Sequence, residues 1–371
     1  MRINLNCPAL FLSASLQLSC GAPGAPQPGV QPSSQELVQA PDSPVERRLA
    51  MMGTWLKLEV QAGSRQASLA ASELAVRALE ESEQRLSTWR EDSELSRLNR
   101  AAAGQPFALS ALLAIELQEA QELWRATNGA FDPGIGAVLQ AWGLRSGGRL
   151  ASPEELQQAR AAGGFGSLEL QGTQAIRGHA GLVIEEGGFG KGAGLDRALE
   201  ALAKSATRVA FLDLGGQVAL FGEQSVSLGL ADPNDRERPL LRLTLDSGSL
   251  ATSGNSERGI LVAGEARSHL IDPRSGQPAA DFGSLSVWAP DATSADALST
   301  GLYVLGPAAA LRWALEHDSI EIIVLVKDAA GPKAIATPGW QGRLESLDKA
   351  LRLQILNPHS LNPHSLKSLA R

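Results

Sequence analysis

Apolar residues recur at helical spacing through the first part of the chain and give way, near residue 165, to short alternating or wholly apolar runs. This change of period restricts the fold more than any other feature. Helices are expected over 67–86 and over 110–127, the second capped by Ser110 and stopped by the left-handed pair Asn128-Gly129. A third opens at Ser152-Pro153-Glu154-Glu155, with a cap, a proline in the first turn and acidic residues behind it, and closes at Gly163-Gly164. Strands are expected at 167–171, 182–185, 208–214, 217–222, 226–231 and 240–245, with one helix over 192–204 between the second and third. A strand at 284–288, helices over 292–305 and 308–317 and a buried strand at 320–326 follow. Helices and strands are mixed without strict βαβ alternation, so the expected class is α+β.

Composition then excludes whole classes of function. Hydrophobic residues make up 43% and charged residues 20%, as in ordinary globular chains, which argues against wholesale disorder and against a multi-span membrane protein. The net charge of −7 is the wrong sign for neutralising a phosphate backbone, so nucleic acid is not an expected partner. Both cysteines, Cys7 and Cys20, lie in the first twenty residues. Disulfide scaffolds, thiolate metal sites and cysteine nucleophiles are thereby excluded from the body.

The amino terminus reads as an export signal over 1–20. Arg2 precedes an apolar stretch at 9–18, too short to span a bilayer, and Leu16-Gln17-Leu18-Ser19-Cys20 is similar to a bacterial lipoprotein signal with Cys20 as the anchor. Residues 21–44 are a Pro/Gly-rich tether, 45–345 the folded domain, and 346–371, with Leu-Asn-Pro-His-Ser repeated at 356–360 and 361–365, a disordered tail. The expected location is the periplasmic face of a bacterial membrane, or the periplasm or exterior if the signal is simply cleaved.

Elimination among five histidines leaves one. His359 and His364 belong to the tail repeat, His179 to an exposed turn and His317 to a helix end, where it complements the macrodipole. His269 sits in Ser268-His269-Leu270-Ile271-Asp272-Pro273-Arg274-Ser275-Gly276, which gathers an acid–base group, a carboxylate and a cation, and it reads as either catalytic or structural. The run 187–194, Gly-Gly-Phe-Gly-Lys-Gly-Ala-Gly, lacks the Ser or Thr of a Walker loop and the G-x-G-x-x-G spacing. It reads as a strand-to-helix connection or as an anion site at a helix start. Asp213-Leu214-Gly215-Gly216 is a hairpin or a binding turn. Asp296 and Thr300, four apart on a helix, offer hard oxygens on one face, for a magnesium ion or for ordinary hydrogen bonds.

Taken together and in order, the segments resemble the FAD:protein FMN transferases, the ApbE-type flavin transferases. The resemblance is carried by Met52-Gly53-Thr54; the run from Ser87-Thr88-Trp89 to Arg97-Leu98-Asn99; Gly129-Ala130-Phe131-Asp132-Pro133; Gly190-Lys191-Gly192 with Asp196; Asp213-Leu214-Gly215-Gly216; Thr252-Ser253-Gly254; His269 through Gly276 with Pro278; and Ala295 to Thr300. It implies an ApbE-like, T-fold-like architecture of mixed helices and largely antiparallel sheet, with the FAD site between subdomains. It implies an FAD site lined by Met52, Trp89, Ala130, Phe131, Asp132, Glu185, Lys191 and Ile271, and Mg2+ held by the Gly188 carbonyl with Asp296 and Thr300. The implied base is His269, with Asp272 next to be considered, and the implied acceptor is a threonine or serine of a client flavoprotein, such as an extracytoplasmic subunit of a redox-driven ion pump. Trp89 stands where the family commonly has tyrosine, Glu185 where it has aspartate, and Ala193 and Ser256 where aromatics are frequent. The same site with water as acceptor would split FAD into FMN and AMP, and without chemistry it would be a flavin-binding lipoprotein.

Overall fold

A computed structural model describes residues 44–255, 260–262, 265–326 and 331–357. The signal and lipoprotein motif, the tether up to residue 43, Ser256 and the tail repeat from residue 358 onward lie outside these residues. Among the described residues no helix is long and apolar enough to cross a membrane.

The frame is a nine-stranded sheet whose spatial order is its chain order. The strands are β1 (Val45–Met51), β2 (Thr54–Ala62), β3 (Thr207–Leu214), β4 (Gln217–Phe221), β5 (Ser249–Gly254), β6 (Gly283–Ala289), β7 (Glu321–Val326), β8 (Lys333–Ala336) and β9 (Arg352–Ile355). Every neighbouring pair is antiparallel except β8 with β9. Excursions leave the sheet between strands. The longest, residues 63–206, carries α1 (Arg65–Leu86), α2 (Glu94–Arg100), α3 (Ala111–Ala126), α4 (Gly136–Ala141), α5 (Pro153–Ala161) and α6 (Gly190–Ala203), with a small sheet of Pro106–Ala108, Gln174–Arg177 and Leu168–Gln171. Between β6 and β7 come α7 (Ala292–Leu305) and α8 (Pro307–Leu315).

The helices lie on one face. Leu79, Leu195, Ala198 and Leu202 of α1 and α6 pack on Leu56, Leu58, Val60 and Leu212, while Leu298 and Leu302 of α7 pack on Leu285, Val287, Ile322 and Val324. The opposite face, from β4 onward, is covered by the hairpin Val226–Asp232 and Asp235–Leu245, where Leu240, Leu241, Leu243 and Leu245 meet Ile323 and Leu325. Successive residues of β7 therefore point into two different cores, which is why that strand reads as an unbroken apolar run. The excursion has a core of its own, built from Leu95, Leu98, Leu113, Leu117, Phe131, Phe165 and Phe189.

The α+β class and the antiparallel sheet agree with expectation, and most helices fall within a few residues of the expected bounds. Two assignments need correction. Residues 182–185 form no strand beyond a single bridge from Ile135 to Val183. The side chain of Asn99 takes the place of a partner strand there, accepting from the Ile184 amide at 2.8 Å and donating to its carbonyl at 2.8 Å. The tail boundary also moves, because β9 pairs with β8 and buries Leu351 and Leu356, so the ordered domain runs past 345 to at least 357.

Candidate functional site

Two helix starts face each other at the centre of the helical layer. The first turn of α6 has no side-chain cap of its own; instead Asp296, in the second turn of α7, accepts from the Gly192 amide at 3.0 Å and from Lys191 Nζ at 2.8 Å. Reciprocally, Asp196 of α6 accepts from the amides of Ala292 and Thr293, both at 2.8 Å, at the start of α7. Each helix thus supplies the carboxylate that satisfies the other's orphan amides and complements its dipole. The contact is close enough that a Cβ on Gly192 would stand 2.2 Å from the Ala292 carbonyl oxygen. Asp296 is 4% exposed, and its charge is offset by a lysine and a helix terminus together.

One turn further along α7, Thr300 is half-buried and looks across at Gly188, whose added Cβ would meet Thr300 Oγ1 at 3.5 Å and the Phe131 ring at 3.2 Å. Phe131 is buried between Gly188 and Gly301, so the Gly188 turn, the Ala130–Asp132 segment and the Asp296–Thr300 face converge. No group of three or more His, Cys, Asp or Glu that could hold a metal occurs among the described residues. A divalent cation here would use a mixed oxygen set, and one carboxylate, one hydroxyl and one carbonyl are the hard donors magnesium takes when the rest of its shell is water or phosphate. Among the described residues the Thr300 hydroxyl has no hydrogen-bond partner, and the Asp296 carboxylate has lone pairs beyond the two in use. The residues fit the ion.

A second cluster flanks the first. Arg145 lies over the Trp89 ring, 4.6 Å from its centroid, donates to the Thr88 carbonyl at 3.0 Å, and pairs with Thr88 Oγ1 and Glu185. The Thr88 hydroxyl also meets both Glu185 and Glu186. Burial raises the Glu185 carboxyl above its usual range, while Arg145 pulls it back and Glu186 pushes it up. Trp89 is 71% exposed, an aromatic plate backed by a guanidinium and open to a planar ligand. Met52, in left-handed backbone (φ 48°) with Gly53 (φ 70°), forms the two-residue turn joining β1 to β2. Its amide donates to Glu83 at 3.0 Å and its thioether lies against Gly194 of α6.

The remaining candidates divide. His269 is half-buried in the loop after β5. Asp272 is clasped by Arg274, at 2.8 Å to Nε and 2.9 Å to Nη2; burial pushes its carboxyl up, but these bonds outweigh it and hold the group below the usual range. Ile271 is buried with Val138, Trp142 and Leu156 in a small core. Asp132 accepts from the amides of Gly134 at 2.7 Å and Phe165 at 2.8 Å, so its carboxylate organises backbone, and burial raises it to about 6.

The sequence matches the model of the ApbE family over residues 52–324. The chain belongs to the ApbE family. Among its curated relatives, the Vibrio cholerae protein named FAD:protein FMN transferase is 29% identical over 275 residues, 71% of this chain and 82% of that one. The Treponema pallidum protein of the same name is 28% identical over 307 residues, 77% of this chain and 84% of that one. In three dimensions the fold is similar to the flavin transferase ApbE from Vibrio cholerae, with a TM-score of 0.71 and 25% identity, covering 82% of this chain and all of the other. The ApbE protein from Thermotoga maritima gives 0.69 at 24% identity, covering 82% of this chain and 97% of the other.

Within this ApbE-family chain, Arg145 and Glu186 escaped the reading of the sequence. Arg145 lies between Gly143 and Gly147-Gly148, all in left-handed backbone, and a cation bracketed by glycines was the available signal. Thr88 belongs to the Ser87-Thr88-Trp89 motif, but nothing in its spacing announces two carboxylate partners.

Proposed function

We propose that this protein is an FAD:protein FMN transferase, moving the FMN half of FAD onto a threonine or serine hydroxyl of a client flavoprotein and releasing AMP. The observation that carries this reading is the start of α6, where Lys191, the Gly192 amide, Asp296, Thr300 and Gly188 converge, a setting for a pyrophosphate in a family whose relatives bear that name. The pyrophosphate would rest beside the start of α6, with Lys191 released from Asp296 to meet phosphate oxygen. Magnesium, when bound by Asp296, Thr300 and the Gly188 carbonyl, would supply Lewis-acid stabilisation of charge on the pyrophosphate. Trp89 would offer its open face to a ring of the dinucleotide.

In the transfer, the client oxygen attacks the FMN-side phosphorus. Its proton passes to His269, the new P–O bond forms, and the bond to the bridging oxygen breaks so that AMP leaves with that oxygen. His269 is preferred to Asp272 as the acceptor of that proton because the Arg274 clasp makes Asp272 a weaker base.

The chain's first twenty residues support export, with Cys20 as a lipid anchor, residues 21–44 as a tether and the client on the same side of the membrane. The test is to incubate the protein with FAD, magnesium and a candidate client domain. Fluorescent, covalently flavinylated client is expected, in a magnesium-dependent manner. AMP released at the same rate without client would replace this reading with FAD hydrolysis, and tight FAD binding with no turnover would replace it with a flavin carrier.

A further inference from the structure

A run of hydrogen bonds joins the loop of His269 to the helix of Asp296 and Thr300. The Leu270 amide donates to Ser268 Oγ at 3.0 Å, and the Ser268 hydroxyl donates to Asn255 Oδ1 at 2.6 Å. Asn255 Nδ2 donates to the Tyr303 hydroxyl at 3.1 Å, which in turn donates to Asp281 Oδ1 at 3.4 Å. Every proton points the same way along this path and it ends on a carboxylate, so each hydroxyl both accepts and donates and none is frustrated.

The middle of the run is shielded from water, and its Asp281 end also accepts from the Gly283 amide at 3.1 Å. Ser268 is buried and Tyr303 is 1% exposed, with the Tyr303 ring stacked on Phe282 at 4.4 Å between centroids. Tyr303 is the only tyrosine in the chain, and a phenylalanine would satisfy the apolar packing, so the hydroxyl is what the position adds. Burial and the Asp281 charge push the pKa of the Tyr303 hydroxyl up from its ordinary value, so it stays protonated and remains a donor.

Geometry gives the run a purpose. Ser268 and Leu270 flank His269, and a serine hydroxyl that accepts from the amide two residues on fixes the backbone of the residue between. Asn255 ends β5, Asp281 precedes β6, and Tyr303 lies one helical turn beyond Thr300 on α7. Asn255, Ser268 and Asp281 are therefore stapled to α7, the helix of Asp296 and Thr300, at the residue beside His269.

We propose that Tyr303, Asn255 and Ser268 are positioning residues that set the place of His269 relative to the Asp296–Thr300 face of α7. The proposal rests on the reading of His269 as the base. If the three act only through His269, their loss should displace the base without changing FAD affinity, and a displacement of about 1 Å is enough to lower a rate substantially.

The experiment measures client flavinylation, FAD binding by flavin fluorescence and thermal stability for Tyr303→Phe, Ser268→Ala and His269→Ala, and for Tyr303→Phe combined with His269→Ala. Tyr303→Phe and Ser268→Ala should each lower kcat about tenfold with FAD affinity within about twofold. Tyr303→Phe should have no further effect once His269 is gone, because a positioning residue acts only through the group it positions. If His269→Ala loses transfer while both other variants keep wild-type kcat, the positioning role is overturned and the base assignment stands. Equal losses of kcat, FAD affinity and Tm, or a full Tyr303→Phe effect in the absence of His269, would also overturn it in favour of a plain structural staple. Wild-type transfer by His269→Ala would overturn both readings.

Discussion

Asp296 accepts from a lysine and from a helix-start amide at once, so its substitutions separate two effects. Asp296→Ala removes the cap of α6 and the carboxylate proposed to hold magnesium, and should abolish magnesium-dependent turnover, weaken FAD binding less, and lower stability by about 1 kcal/mol or more. Asp296→Asn keeps an oxygen for the Gly192 amide and should recover much of the stability but not the turnover. Assays of turnover and melting on the two variants check this, and unchanged turnover in both would leave the residue as helix packing alone. Asp132 makes a pH prediction. Burial raises it to about 6 in the folded protein, whereas in an unfolded chain it ionises near pH 4. The folded state holds the proton more tightly, so its contribution to stability is complete below about pH 4 and is lost as pH rises through about 6, by up to roughly 3 kcal/mol. Asp132→Asn, which keeps an acceptor for the Gly134 and Phe165 amides, should flatten the melting temperature across that window; a variant that follows the wild-type curve would assign the dependence elsewhere. At this scale the sequence shows which residue types stand where, and Asp296 with Thr300 was legible because one helix sets their spacing. Arg145 was not, since its meeting with Trp89 and Glu185 depends on three segments distant in the chain.

Helices α6 and α7 owe their mutual capping to one missing side chain. Gly192→Ala would drive a Cβ to within 2.2 Å of the Ala292 carbonyl, so the helix starts must separate. We expect a loss of about 1–3 kcal/mol together with weaker FAD binding, measured by urea unfolding and flavin fluorescence. Full stability with full binding would show that the close approach is not needed. Elements with a cap and a clear period were readable in advance: Ser110, Ser152 and Asn128-Gly129 mark the ends that the structure shows. The hairpin of β1 and β2 was passed over, because β1 is an edge strand whose exposed side carries Glu46 and other charged residues that blur the alternation. Residues 182–185 erred the other way. Their pattern is that of a buried strand, but Asn99 from α2 satisfies the backbone that a neighbour would have paired.

The molecule as a whole is a sheet laid down in chain order and interrupted by insertions; the family resemblance implied its mixed helices and largely antiparallel sheet, periodicity only the α+β class, and neither the strand order. The tail boundary, placed from the polar repeat near the end of the chain, gives a test. Deleting residues 347–371 removes β9 with Leu351 and Leu356, and should lower stability by about 3 kcal/mol or more, read from the urea midpoint. An unchanged midpoint would make β9 dispensable. The insertion between β2 and β3 has a kinetic consequence. Closing a chain of that length adds little entropy beyond a shorter loop, yet the β2–β3 seam cannot form until residues 63–206 have brought their ends together. The inserted portion has its own core and can collapse early, whereas Met52, Lys191 and Asp296 meet only after α6 docks on the sheet and on α7. Flavin affinity acquired during refolding would then time the last assembly step, and a chain caught before it would carry secondary structure without a site.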